Sequence, residues 1–283
     1  MAPAPSAEVV QQAWADYRAA ADAAGVEVRI VTAADAWAAA TLLEQIWGVK
    51  PIEAPMLIAL ARSGNYAAVA VDGEQILAVT AGYFAAPVGT ALHSHVAGVR
   101  PGLGGRGIRR VVKLHQRAWC LELGLTQVLW TFDPLVARNA YINIERLGAG
   151  LDQYVIDYYG DMTDGINAGQ GSDRAIVRWH LERPYSADRV DDTERVNLGD
   201  RDLDAVAVLA ATIEGDPSVQ PLPASATAVT VAVPSDIEAM RGGDPVTAKA
   251  WRAALRDTLP ALLAAGWRVR GFDSSTGYYL EKD

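Results

Sequence analysis

Two histidines, His93 and His95, stand two residues apart in the apolar run Ala91–Val99. On a strand that spacing puts both imidazoles on one face, and a pair titrating near neutrality suits removal of an amine proton. The pair equally fits hydrogen-bonded structural histidines. It is also half of a metal site, but with Cys120 as the one cysteine and few acids nearby no metal is assigned. The run ends at Arg100-Pro101 and passes through Gly102-Leu103-Gly104-Gly105-Arg106-Gly107 into a helix opening at Ile108. A glycine loop at a helix N-terminus aims several backbone N–H groups and the positive end of the dipole at one point, which makes an anion site suited to phosphate. Local charge agrees: between Glu74 and Glu122 there is no acidic residue, while Arg100, Arg106, Arg109, Arg110, Lys113 and Arg117 all lie there. Arg109, Lys113 and Arg117, spaced by four, also fit the solvated face of an amphipathic helix.

The elements that must position these groups are legible in outline. An alanine-rich helix over 6–24 is stopped by Gly25, a strand follows over Val26–Val31, and Thr32 caps a helix reaching Trp47. A helix over Pro55–Arg62 precedes strands Tyr66–Val71 and Gln75–Tyr83, joined at Asp72-Gly73 as an antiparallel hairpin. After the glycine loop, a helix with Ile108, Val111, Leu114, Ala118 and Leu121 on one face ends at Gly124. A buried strand Val128–Phe132, a helix Val136–Leu147 and two strands, Tyr154–Tyr158 and Ala175–His180, come next, the last two separated by a glycine-rich insertion. The predicted domains are a peripheral helix over 1–25, a main domain over 26–182, an acidic linker over 183–204 and a small α+β extension over 205–283. In the extension the pattern predicts a strand Ala228–Val233, a helix Pro245–Ala265 and a closing pair, Trp267–Phe272 and Tyr278–Leu280.

Two cofactor classes compete for the loop. Gly102-x-Gly104-x-x-Gly107 satisfies the dinucleotide fingerprint, but Arg100-Pro101 intervenes between strand and glycine, and Asp133 lies too far along to be the ribose-binding acid. The other class is acyl-CoA. Val99-Arg100-Pro101, Gly105-Arg106-Gly107-Ile108, the strand Val128–Phe132 and the helix ending Arg146-Leu147-Gly148-Ala149 follow one another in the order and spacing of the GNAT superfamily of acyl-CoA-dependent N-acyltransferases, which this chain resembles. More narrowly, Leu92-His93-Ser94-His95, Trp130-Thr131-Phe132-Asp133-Pro134-Leu135, Arg138-Asn139-Ala140-Tyr141, Asp164-Gly165-Ile166-Asn167 and Ser172-Asp173-Arg174 are similar to a bacterial GNAT-like group with a C-terminal extension. The resemblance covers about residues 26–182 well and the rest loosely.

The resemblance implies an α+β fold with a mixed sheet, acetyl-CoA or another acyl-CoA as co-substrate, and transfer of its acyl group to the amine of a small molecule. It places the acyl-pantetheine between the strand ending at Val99 and the strand Val128–Phe132. The implied cofactor-binding residues are Val99, Arg100, Gly104, Gly105, Arg106, Gly107, Ile108, Arg109, Asn139 and Asn143. Read from the residues themselves, the substrate candidates are Asp133 and Arg138 beside the helix start and Asn167 and Asp173 in the glycine-rich insertion, with helix capping as the other role of Asp133. Two departures stand out. Gly104 replaces the first Arg/Gln of the family's loop and Arg109 its last small residue, and the position of the usual catalytic tyrosine is Ile144. His93 and His95 remain the candidate bases on their spacing, and Tyr141 or Asn143 are the candidate substitutes for the tyrosine. The departures keep open an acyl-CoA-binding module without turnover.

Composition bounds the partners. Thirty-four acidic against 25 basic residues give a net charge of −9, which repels nucleic acid and anionic lipid. No apolar run is long enough for a membrane, a single cysteine fits a reducing compartment, and no signal-peptide pattern opens the chain, so a cytoplasmic protein is expected. A homodimer is compatible with the pattern and nothing in it demands one.

Overall fold

The computed structural model describes residues 4–86, 88–160, 171–183, 185 and 205–282. The acidic stretch over 186–204 and the insertion residues Asp164 and Asn167 lie outside the described residues. The fold is α+β with mixed sheets. The chain divides into two compact units: Met1–Trp130 with His180–Tyr185, and Thr131–Trp179 with Ser186–Asp283. Thr131–Trp179, which the sequence groups with the main domain, thus clusters with the C-terminal residues.

In the first unit, α1 (Ala7–Ala24) starts where Ser6 accepts the Val9 N–H and stops at Gly25 in the left-handed conformation. Then come β1 (Glu27–Ile30), α2 (Ala33–Trp47) and α3 (Ala54–Arg62). The strands β2 (Ala67–Asp72), β3 (Gln75–Ala85) and β4 (Ala91–Val99) follow, and α4 (Ile108–Glu122) leads to β5 (Gln127–Phe132). The sheet order is β1-β2-β3-β4-β5. Its pairs are antiparallel up to β4, and Asp72↔Gln75 closes the hairpin expected at Asp72-Gly73. The β4·β5 pair is parallel, as a strand–helix–strand crossover requires.

Alternation in β2 explains why its burial is continuous. Ala67, Val69 and Val71 join the cluster formed by Leu42 and Leu43 of α2 and Leu57 of α3. Tyr66, just before the strand, points the other way, with its hydroxyl 2.8 Å from Nδ1 of His115 on α4. Both faces of this sheet are covered, so its strands read as apolar runs.

In the second unit the helix predicted over Val136–Leu147 divides into α5 (Ala137–Tyr141) and a π-helical turn, Ile142–Arg146. The predicted strand Tyr154–Tyr158 is displaced: β6 runs Gly150–Val155, directly after the Gly148 stop, and pairs antiparallel with β7 (Arg174–His180). A five-stranded sheet in the order β11-β12-β10-β8-β9 completes the unit. It comprises β8 (Val206–Ala211), β9 (Pro217–Val219), β10 (Ala228–Val231), β11 (Trp267–Asp273) and β12 (Gly277–Lys282). Helices α6 (Ile237–Gly243) and α7 (Pro245–Ala264) join β10 to β11. The sequence reading missed β8, β9 and α6. These elements are short, and their pattern emerges only when paired.

Candidate active site

The register of β4 shapes the site. Ala81 pairs with Val96 and the next residue, Gly82, with Ser94, so His95 is an extra residue bulged out of the ladder. The bulge reverses the alternation. Ser94 faces Lys113 of α4, whereas Val96 joins the α2–α3 cluster. A Cβ on Gly82 would stand 2.6 Å from the His93 carbonyl oxygen, so the close approach at the bulge needs glycine there. Pairing of β4 with β5 runs Ala91↔Gln127, Leu92↔Val128 and His93↔Leu129, and among the described residues no pair follows. The strands part at the bulge and leave β4 backbone groups from Ser94 onward without a β5 partner, as an extended ligand would use them.

His93 is half-buried and stacks on Tyr83 of β3, centroids 4.9 Å apart, while the two histidine rings are 6.2 Å apart. Burial lowers the pKa of His93, helped by His95 and Lys113, and burial alone lowers that of His95. Both rings are therefore neutral at neutral pH, the form a general base needs. His95 opens onto a cavity of about 430 Å³ walled by Ile52, Glu53, Met56, Leu60 and Tyr83. The spacing of the histidines was visible in the sequence, but Tyr83 and the wall of the cavity were not, because the β3–β4 register and the entry to α3 bring them there. Among the described residues no cluster of three metal-ligating side chains occurs, and no helix is long and apolar enough to cross a membrane.

The glycine loop leads to α4 through Gly107, whose left-handed φ of 69° forms the N-cap without a side-chain acceptor. The first N–H groups of the helix, beginning at Ile108, have no intrahelical acceptor and face the exposed Gly104–Gly107 bend. These amides fit a diphosphate better than the arginines around them do. Arg100 donates from Nε and Nη2 to the Ile76 carbonyl at 3.2 and 2.8 Å, and Arg106 donates to the Ala24 carbonyl and to Asp72 at 3.2 and 3.3 Å. Their side chains tie down the scaffold. Val99 pairs with Ala78, the Ile108 side chain is core, and Arg109 is exposed.

Nor are Lys113 and Arg117 a solvated face: they are 7% and 2% exposed. Arg117 pairs with Asp16 of α1 at 2.9 Å and donates to the carbonyls of Leu181 and Arg183. Lys113 donates to Ser94 Oγ and Gln116 Oε1. Cys120 is buried, and burial raises its pKa, which disfavours the thiolate.

In the second unit the candidate substrate residues are engaged within the protein. Asp133 is buried, accepts the Leu135 N–H at 3.0 Å and pairs with Arg241 and Arg252. Asp173, fully buried, accepts from Tyr154, the Asp157 N–H and Arg256. Arg138 pairs with Glu238 at 2.9 Å. Their partners lie on or beside β6, α6 and α7, so the C-terminal helices explain these polar residues. Tyr141 is half-buried under the Arg146 guanidinium, Asn139 is half-buried on α5, and Asn143 and Ile144 are buried in the π turn.

Compared with known proteins, the chain matches no family model and no curated protein. It is similar to solved structures over part of its length. The putative acetyltransferase yncA from Salmonella typhimurium with its cofactor acetyl-CoA is 12% identical at a TM-score of 0.46, over 57% of this chain and 97% of that one. The ribosomal-protein-S18-alanine N-acetyltransferase from Escherichia coli is 14% identical at 0.45, over 55% and 94%. Arabidopsis thaliana Naa50 in complex with a bisubstrate analogue is 13% identical at 0.43, over 54% and 97%.

Proposed function

We propose that the chain is an acyl-CoA-dependent N-acyltransferase whose acceptor is a small amine. The observation that carries this reading is the fork at His93↔Leu129, with a bulged, neutral His95 on one strand and a cavity beside it. In this reading the glycine bend and the first amides of α4 hold the diphosphate. The pantetheine lies along the freed edge of β4, bonded to its backbone. The thioester then meets the amine at the bulge. His95, with His93 behind it, takes the proton of the attacking nitrogen, and a main-chain N–H of the bulge stabilises the oxyanion. No covalent enzyme intermediate is needed.

The cavity supports a small acceptor with an apolar body. Ile52, Met56, Leu60 and Tyr83 supply an apolar wall, and the lining carries one acid, Glu53, and one base, Lys50. About 430 Å³ accommodates a molecule the size of an aromatic or branched alkyl amine.

Thiol release from acetyl-CoA over a panel of amines tests the reading. Turnover is expected, fastest for primary amines with an apolar body. CoA binding without turnover on any amine favours a binding module, the reading that the buried Ile144 supports. Stabilisation by NAD(P) in place of CoA in a thermal-shift comparison overturns both.

A further inference from the structure

The fork between β4 and β5 is filled from α4. Ser94 and Trp130 are the first residues beyond the last pair, His93↔Leu129. Between them stands Lys113, its Nζ 3.1 Å from Ser94 Oγ and 4.1 Å from the centroid of the Trp130 ring. Its third contact is Gln116 Oε1 at 3.2 Å, one turn further along the helix. Among the described residues its polar partners are a hydroxyl and an amide oxygen, neither of which carries charge.

A buried ammonium without an anion is costly, and burial brings the pKa of Lys113 down to about 7. Of the titratable groups that act on it, Arg109 on α4 disfavours the charged form, Cys120 on α4 favours it, and His93 on β4 shares its field. On the β5 side it meets the Trp130 ring face, a weak stand-in for a negative charge. What the ammonium lacks is an anion formed inside the fork. Thioester cleavage makes one.

We propose that Lys113 is the general acid of the reaction, its ammonium protonating the thiolate that leaves within the fork. The inference rests on the acyltransferase reading above. The acceptor nitrogen bonds to the acyl carbon, the C–S bond breaks with its electron pair going to sulfur, and one proton passes from Lys113 Nζ to that sulfur. The products are the amide, the free thiol and a neutral lysine. The proton lost by the acceptor passes to His95, which gives it up to water, and the neutral Lys113 takes a proton back from water once the thiol has left the fork. Lys113 is the buried proton donor that stands at the parting of the strands.

The test compares the wild-type chain with Lys113→Met and Lys113→Arg in the thiol-release assay across pH, using acetyl-CoA and the best amine of the panel. For Lys113→Met kcat is expected to fall by about 10²-fold or more, with KM for acetyl-CoA within ~2-fold of wild type. The alkaline fall of the wild-type profile, as Lys113 loses its proton, should vanish in this variant. Lys113→Arg should keep part of the lost rate, its guanidinium stabilising the thiolate without titrating. Calorimetric binding of CoA checks that Lys113→Met is folded. If it is not, Ser94→Ala, which removes the hydroxyl partner, should move the alkaline limb and lower kcat. An active wild type with an unchanged rate or an unchanged alkaline limb in the variants overturns the role of Lys113 and leaves acyl transfer standing. A wild type that releases no thiol with any amine overturns both.

Discussion

The carboxylate of Asp133, just past the end of β5, holds the guanidinium of Arg252 at 2.7 Å across 119 positions of sequence. Arg241 reaches the same oxygen at 2.5 Å. Burial pushes the Asp133 pKa up, but the pull of Arg252 and Arg241 and the Leu135 N–H outweigh it and leave the group below its ordinary value. A depressed carboxylate stabilises the fold above its unfolded pKa and loses that contribution as pH falls through the folded one. Asp133→Asn removes the buried carboxylate that two guanidinium groups share and is expected to cost about 3–5 kcal/mol. A urea-unfolding midpoint equal to wild type would show that the cluster contributes nothing.

His115 should make the protein acid-sensitive well above the carboxylate range. It is packed edge-on against Trp14 and Tyr17, bonded to Tyr66, and burial lowers its pKa to about 4. The unfolded chain takes up this proton near pH 6.5 and the folded one only near pH 4, so stability falls between those values as pH drops. The loss is about 3 kcal/mol when complete. His115→Gln should flatten that part of the profile in denaturant titrations, and an unchanged slope would remove His115 as its source.

Gly107→Val should separate binding from folding. A Cβ there meets nothing within 4 Å, so the core is untouched, although a φ of 69° strains a branched residue by about 1–2 kcal/mol. The new side chain would stand in the anion bend. A loss of CoA affinity of about tenfold or more is expected by calorimetry, with the far-UV spectrum kept. Unaltered affinity would displace the diphosphate from this bend.

For His95→Ala, kcat is expected to fall by about 10²–10⁴-fold while CoA affinity stays level. Because burial lowers the pKa of His95, wild-type activity should hold to below the ordinary histidine value of about 6.5 before it declines with acid. His93→Ala should slow turnover too, since it removes the ring behind His95 that stacks on Tyr83. Wild-type rates in both variants would take the histidines out of the chemistry.

Local physics made much of the first unit legible. Ser6, Gly25, Asp72-Gly73 and Gly107 act on neighbouring backbone, so the ends of α1, the β2–β3 hairpin and the start of α4 follow from nearby residues. The break of the Val136–Leu147 pattern into a π turn was not legible, since its extra residue is decided by packing in the second unit, where the Phe272 N–H donates to Glu145.

By itself the amino-acid sequence determined where most strands and helices of the first unit and its glycine bend lie, and that His93 and His95 share a strand. Tertiary structure decided what the polar residues do. Arg106 and Arg117 look alike as letters in a basic run, yet they reach Asp72 and Asp16, acids that only the folded chain brings near. Lys113 becomes a buried amine at a strand fork only because β4 and β5 stop pairing at His93↔Leu129. A periodic pattern reports which face of an element is apolar. Burial of a charge, and the partner that balances it, depend on groups far apart in the chain, and only packing brings those together.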